Sequence, residues 1–474
     1  MNSQDSHLPS HSSSITSPLL SPPSSSRRPY RFFYLVAFLS NFTPSSPYLT
    51  TYLETTKELD EDMINDKIWP TSTYAMLALT IPVAVLSVKL PRHFLACGIL
   101  CRLAAYLTLL FSEETKVAPV IGVEVLYAAF LVIDSNVLVS TACLYASEDE
   151  FALAAVGIGI ARELALVTSS LLGQALHDYT SYDITFLFVI SLCSCLGAFA
   201  VFLGTLAATQ VKDWKFMEDT ATSRERKAST DSHASSINNS NSNDTFPTLK
   251  TAIKSALSLP LVLPASITLM YFYASFLISA DYNFMLLTKD SDGSSSTKGL
   301  GLIEAGQDLS GALGSFLAGM YYEHRNRKCQ RSESRSLSFL IALTILATAC
   351  YAYSAIYANE TYSILVVATI VPWGCYHATR TFSTCLITTA LATIDGVNLL
   401  PLVLGCSGFL ALVISSIVQM SVTLVEGSDE RDFFTGCAGI TGVGLLLLTS
   451  YMFYRKNKNS DKDKNKKEGN IFGK

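Results

Sequence analysis

The sequence predicts an all-α membrane protein with twelve transmembrane helices in two six-helix halves. Three observations carry that expectation. Apolar residues make up 49% of the 474 and charged residues only 15%, against roughly 25% charged in a soluble domain. The apolar residues gather into twelve runs, most of them near the ~20 residues that a helix needs to cross hydrocarbon. Those runs divide six and six about a polar stretch, and the loops joining them alternate between basic and acidic.

Residues 1–29 are rich in Ser and Pro and lack the apolar core of a signal peptide, so they read as a disordered cytosolic arm. The N-terminal half occupies 30–208, with apolar segments at 31–54, 68–88, 93–112, 117–146, 151–176 and 183–208. Residues 209–255 form a cytosolic linker, Ser- and Asn-rich between Ser229 and Thr245. The C-terminal half occupies 256–455, with segments at 259–287, 299–322, 336–357, 362–392, 397–424 and 432–455. A Lys-rich, solvated cytosolic tail, 456–474, closes the chain. Pro44 and Pro47 interrupt the first segment. Proline removes a backbone donor and kinks a helix, and the freed carbonyls must then face protein or a cavity. The 11 cysteines show neither metal-ligand nor redox spacing and read as small core residues.

The loops set the orientation. Arg27, Arg28 and Arg31, then Lys89 and Arg92, then Lys212 to Lys227, then Arg325 to Arg335 all fall on one side of a twelve-span chain. The opposite loops, such as ELDEDMINDK and SEETK, are acidic or neutral. The positive-inside rule places both termini in the cytosol. The glycosylation sequon at Asn359 then falls outside the cell, while those at Asn238 and Asn243 stay silent in the linker. The plasma membrane is the expected location, with an internal membrane as the alternative.

Val117–Tyr145 is the most informative segment. It is almost wholly apolar yet carries Glu124 and Asp134. An ionised carboxylate in a spanning helix costs about 2.5–3.5 kcal/mol on insertion scales, so two of them point to a polar interior. At about 100° per residue, Glu124, Tyr127 and Asp134 fall within roughly an 80° arc, the acids about 15 Å apart. They line a cavity, or they pair with bases on neighbouring helices. Further charges lie inside other segments: Arg102, Arg162, Glu163, Glu304, Asp308 and Arg380. Glu304, Gln307 and Asp308 share one helix face. His377 lies one turn from Arg380 and from Trp373. Ion pairs are expected between Arg380 and Asp308 or Glu304, and between Arg162 and Asp134 or Glu163; such pairs can also gate.

Six helices, a long linker and six more is the layout of the major facilitator superfamily, whose substrates bind near the midplane between the halves. Within it, SNFTPSSPYLTTYL resembles the first-helix motif of the reduced folate and thiamine carriers. The likeness continues in order through IWPTSTYAMLAL, VEVLYA, SSLLGQ, GLIEAGQDLSGALGSFLAG and PWGCYH. It implies a secondary carrier for a vitamin. Charges that a folate carrier holds are missing: its first-helix Arg falls on Thr43, its second-helix Asp on Val88, its tenth-helix Arg on Trp373, and its eleventh-helix Lys near Ser415. Glu124 and Tyr127 match the family's Glu and Tyr, Asp134 falls where thiamine carriers have Glu, and Asn283 where they have Asn. Ser46 and Ser72 depart from the thiamine pattern, standing where it has Glu and Trp.

The resemblance therefore implies thiamine or a related cationic heterocycle as substrate, moved by alternating access with proton exchange. The expected substrate site is Glu124, Tyr127 and Asn283 with the aromatics Tyr74, Trp373 and Tyr376, because a cation wants a carboxylate and ring faces worth about 0.5–2 kcal/mol each. Asp134, Asp308, Glu304 and Arg380 are the expected coupling or gating residues. The partners are the small substrate, membrane lipid and protons, with no cofactor, metal or nucleic acid. Two alternatives stand: a folate or organic-anion carrier using Arg380 and His377, and a non-transporting receptor or scaffold. No Gly-x-Ser-x-Gly elbow, His–acid metal pair or phosphate loop suggests an enzyme.

Overall fold

The computed structural model describes residues 29–60, 63–113, 116–147, 150–179, 183–230, 249–288, 300–327, 333–357, 362–393, 399–423 and 430–471. It describes their side chains except at 65–66, 208–230, 249–252, 280–288, 300, 326–327, 362–369, 423, 430–431 and 458–471. Among these residues the N-terminal half contains α1 (Phe32–Asn41), α2 (Leu49–Thr55), α3 (Trp69–Ser87), α4 (Pro91–Phe111), α5 (Val117–Cys143), α6 (Phe151–Tyr179) and α7 (Thr185–Thr230). A short α8 (Leu249–Ser258) leads into the C-terminal half: α9 (Val262–Thr288), α10 (Leu300–Arg327), α11 (Glu333–Tyr357), α12 (Tyr362–Ala392), α13 (Leu400–Thr423) and α14 (Glu430–Ile471).

Among the described residues, 9 helices are long and apolar enough to cross a membrane. The remaining three crossings differ for physical reasons. The first is broken into α1 and α2. α10 carries Glu304, Gln307 and Asp308 in its apolar run. The first turns of α12 lie outside the described side chains. Two expected boundaries are overrun. α7 continues past 208 to Thr230 into the expected linker, because no proline or glycine occurs between Thr205 and Thr230 and Ala, Lys, Glu and Arg are good helix formers. α14 likewise continues through the Lys-rich tail to Ile471. Residues 1–28 and 231–248, in the expected arm and linker, lie outside the described residues, as does the sequon at Asn359.

The break in the first crossing follows from Pro44 and Pro47. α1 ends at Asn41, and a single 3₁₀ turn, Ser46–Tyr48, restarts the chain into α2. The exposed backbone is satisfied by protein, as the membrane requires. The Ser45 N–H donates to Ser191 Oγ at 3.3 Å, and the two hydroxyls meet at 2.9 Å. The Pro44 carbonyl closes on Gly173 of α6, where a Cβ would stand 2.5 Å from its oxygen. Only glycine admits that approach.

The halves meet along two seams, α6 against α10 and α3 against α13. The end of the bundle bearing Arg92, Arg325 and Arg335 is called the basic end, and the end bearing Glu58, Asp60 and Glu113 the acidic end. At the basic end a single apolar core runs through both halves, from Phe33, Leu138 and Ala154 to Phe382, Leu391 and Leu400. At the acidic end each half has a core of its own. One gathers Tyr52, Ile64, Leu109 and Phe188; the other gathers Phe272, Tyr351, Phe434 and Ile440.

Candidate functional site

Between the halves, beside the shared core, lies a cavity of about 70 Å³ lined by Arg162, Glu163, Tyr273, Tyr376, His377 and Arg380, among others. Each of these comes from a helix at the boundary: α6 gives the Arg–Glu pair, α9 gives Tyr273, and one face of α12 gives Tyr376, His377 and Arg380. Pockets that enclose small molecules hold about 300–1,000 Å³, so the halves must part before a substrate is admitted.

Charge is handled pairwise around this cavity. Arg162 Nη2 lies 2.6 Å from Asp134 Oδ2 and 3.1 Å from the Asp134 carbonyl, which realises one of the two pairings expected for it. Glu163 is taken by His377, with Oε1 2.9 Å from Nδ1. The expected pairing of Arg380 with Asp308 or Glu304 does not form: neither lies within ion-pair distance, and the Tyr376 hydroxyl lies against the guanidinium instead. The reason is the geometry of α12, which turns Arg380 into the cavity while Asp308 stays on the α6 seam. Within electrostatic reach of Arg380 are Tyr273, Asp134 and Glu163. Tyr376 stacks on Phe276, their ring centroids 4.1 Å apart, and Trp373 and His377 extend the aromatic group. Trp373 therefore sits beside the cavity within this group, its indole N–H without a hydrogen-bond partner.

The other expected site residues are distributed differently. Glu124 is 3% exposed. It points neither to lipid nor to an arginine; its neighbour is the Ser72 hydroxyl of α3. Tyr127 turns to Arg102 of α4, whose guanidinium lies 5.6 Å from the Tyr127 ring centroid and 4.2 Å from that of Phe130. Asp134 faces α6. Spacing along α5 placed Glu124 and Asp134 on one arc, but they meet different helices. Tyr74 is 66% exposed on α3 and is not among the residues that line the cavity. The side chain of Asn283 lies outside the described residues.

Glu304 and Asp308 lie along the α6–α10 seam. Glu304 neighbours Ser46 and Tyr48 of the broken first crossing. Asp308 is 2% exposed and its Oδ2 has no hydrogen-bond partner. One turn further, Gly311 makes room for the Glu163–His377 contact: a Cβ there would stand 2.8 Å from Glu163 Oε2 and 3.1 Å from the His377 ring. At the acidic end of the same seam, Gln174 Oε1 accepts from the Tyr48 hydroxyl at 3.2 Å and from the Gly301 N–H at 2.9 Å, and its amide donates to Asp178 at 2.7 Å. Sequence reasoning missed Tyr273 as a lining residue and Gly311 as a spacer. Tyr273 and Phe276 stand at helical spacing on α9 and carried a visible signal; Gly311 carried none, because its role needs three helices at once.

The comparisons with known proteins bear on this arrangement. Residues 29–430 match the family model described as reduced folate carrier. No curated protein matches the chain significantly in sequence. Among solved structures, a major facilitator superfamily transporter, FucP, in the outward conformation superposes with a TM-score of 0.58 at 10% identity, covering 89% of this chain and 98% of its own. A variant of the E. coli fucose:proton symporter FucP gives 0.57 over the same shares. At this identity the likeness concerns the fold: two six-helix halves of major-facilitator type.

Proposed function

The chain belongs to the reduced folate carrier family, and from that premise we propose that this membrane carrier moves a small vitamin-type organic cation, thiamine or a related heterocycle, by alternating access. One observation supports the reading before any other: the acid excess inside the membrane. Glu124, Asp134, Glu163, Glu304 and Asp308 are set within the spans against Arg102, Arg162 and Arg380. A charge inside the bilayer is costly and is retained for function, and an excess of carboxylates is offset by a cationic guest. Glu124 is the carboxylate that recognises the substrate, since it is buried with a hydroxyl rather than a base beside it. Tyr376, Trp373 and Tyr273 supply ring faces at the cavity, whose lining does not include Glu124, so the substrate meets the carboxylate and the rings in turn. Sidedness follows the basic loops: the basic end is cytosolic, the acidic end faces outward, and the location is the plasma membrane.

The test is uptake of labelled thiamine by cells expressing the wild type or Glu124→Gln. Uptake reduced at least tenfold in the variant, with unchanged surface expression, supports the assignment. Equal uptake removes it. A second reading has its own observation: Arg380 lines the cavity without an ion pair. Competition by folates but not by thiamine, abolished in Arg380→Gln, favours an organic-anion carrier.

A further inference from the structure

We propose that the Glu163–His377 pair is the proton-binding site of this carrier, reached from the acidic end along the α6–α10 seam through Glu304 and Asp308. The inference rests on the carrier reading above and assigns a coupling role to two residues that border its cavity.

The geometry is a descending series of titratable groups. At the acidic end His177 stacks on Tyr48, ring centroids 4.8 Å apart, and approaches Asp178 at 3.2 Å. Tyr48 neighbours Glu304. Asp308 follows one turn below, about 6 Å along the axis, and lies within electrostatic reach of both Glu304 and Glu163. Glu163 then meets His377, and both line the cavity. Three atoms along the lower part of this series are buried without a hydrogen-bond partner: Asp308 Oδ2, Glu163 Oε2 and His377 Nε2. Their residues are 2%, 1% and 6% exposed. Buried polar atoms are seldom left unpaired, and three in one seam mark places where a proton or a transient water bonds. Neighbouring carboxylates in a low dielectric share a proton rather than ionise together.

The other groups facing the pair fix its logic. Arg162 on α6 is committed to Asp134 of α5. Arg380 and Tyr376 on α12, with Tyr273 on α9, border the same cavity. Glu163 belongs to the N-terminal half and His377 to the C-terminal half, so parting the halves parts the pair. A proton held between them is released when they separate, and one monovalent cation can replace it with charge conserved.

Two measurements test this on the full-length protein. The first needs no substrate. The chain has 3 tryptophans, and Trp373 lies 6.0 Å from the His377 ring. With Trp69→Phe and Trp214→Phe, Trp373 reports alone, and an imidazolium quenches its emission. Acidification should lower the emission in one step, Glu163→Gln should move the midpoint by a pH unit or more, and His377→Gln should abolish the step. The second is thiamine uptake into liposomes with and without a proton gradient. Glu163→Gln should lose stimulation by the gradient, the ratio of uptake with and without it falling to one. Retained stimulation, or an unmoved fluorescence midpoint, overturns the proposal. Should Glu163→Gln fail to fold, His377→Gln decides by the same readouts. If the wild type neither accumulates nor exchanges thiamine, the substrate reading fails while the fluorescence titration still decides the proton site.

Discussion

The two ends of the interface between the halves are built from opposite materials. At the basic end the halves share one apolar core, and small residues let them close. A Cβ on Gly319 of α10 would stand 2.5 Å from Val156 of α6, and one on Gly405 of α13 would overlap the Ala84 methyl of α3. At the acidic end the apolar cores stop at the boundary, and Gln174 bridges Tyr48, Gly301 and Asp178 with hydrogen bonds. Water replaces hydrogen bonds at little net cost, about 0.5–1.5 kcal/mol each. Exposing an apolar interface costs roughly 25 cal/mol per Å². The acidic end is therefore the gate that yields first, and the basic end is the thicker seal.

The largest expected effect lies between the two ends. Arg162→Ala leaves Asp134 buried without its base, which costs about 3–5 kcal/mol. Thermal unfolding in detergent should fall sharply, and the double variant Arg162→Ala/Asp134→Ala should recover most of the loss. A double variant no better than the single one would mean that Arg162 acts through packing alone. Next in size is a wedge in the seal. Gly405→Val overpacks the α3–α13 seam by about 1–3 kcal/mol. It should expose Cys385, 0% exposed in the closed core, to a maleimide that leaves the wild-type thiol untouched. Labelling unchanged from the wild type would contradict the seal.

The smallest effect belongs to the gate. Gln174→Leu removes its hydrogen bonds without disturbing either apolar core. The fold should hold its melting temperature, while a cysteine placed at Ser170, 1% exposed where its carbonyl meets Gly301, becomes several-fold more reactive from the acidic side. A drop in melting temperature as large as that of Gly405→Val would erase the distinction between the ends.

Much of this architecture was legible in the chain. Apolar run length carried the twelve crossings, and Pro44 and Pro47 carried the break in the first, because both are local properties. The shared face of Glu304 and Asp308 also held, since i and i+4 lie together on any helix. What failed was the step from one helix to its neighbours. Periodicity on α5 put Glu124 and Asp134 on one arc, yet they meet different helices: Asp134 takes Arg162, one of its expected partners, while Glu124 meets Ser72. Arg380 was matched with the nearest acids by charge, but rotation of α12 gives His377 the carboxylate and Arg380 the cavity. Tyr74 looked like a ring for a cation and is exposed, apart from the cavity lining. Hydropathy reports that a residue sits in a span, not which way the span is turned.

The shared greasy closure at the basic end carries a thermal consequence. Attraction between apolar surfaces weakens as water is chilled, whereas hydrogen bonds follow no such rule. Cooling should therefore tilt the resting balance toward the state open at the basic end. A carrier built this way would load and unload at unequal rates in the cold, with the asymmetry fading as the membrane warms.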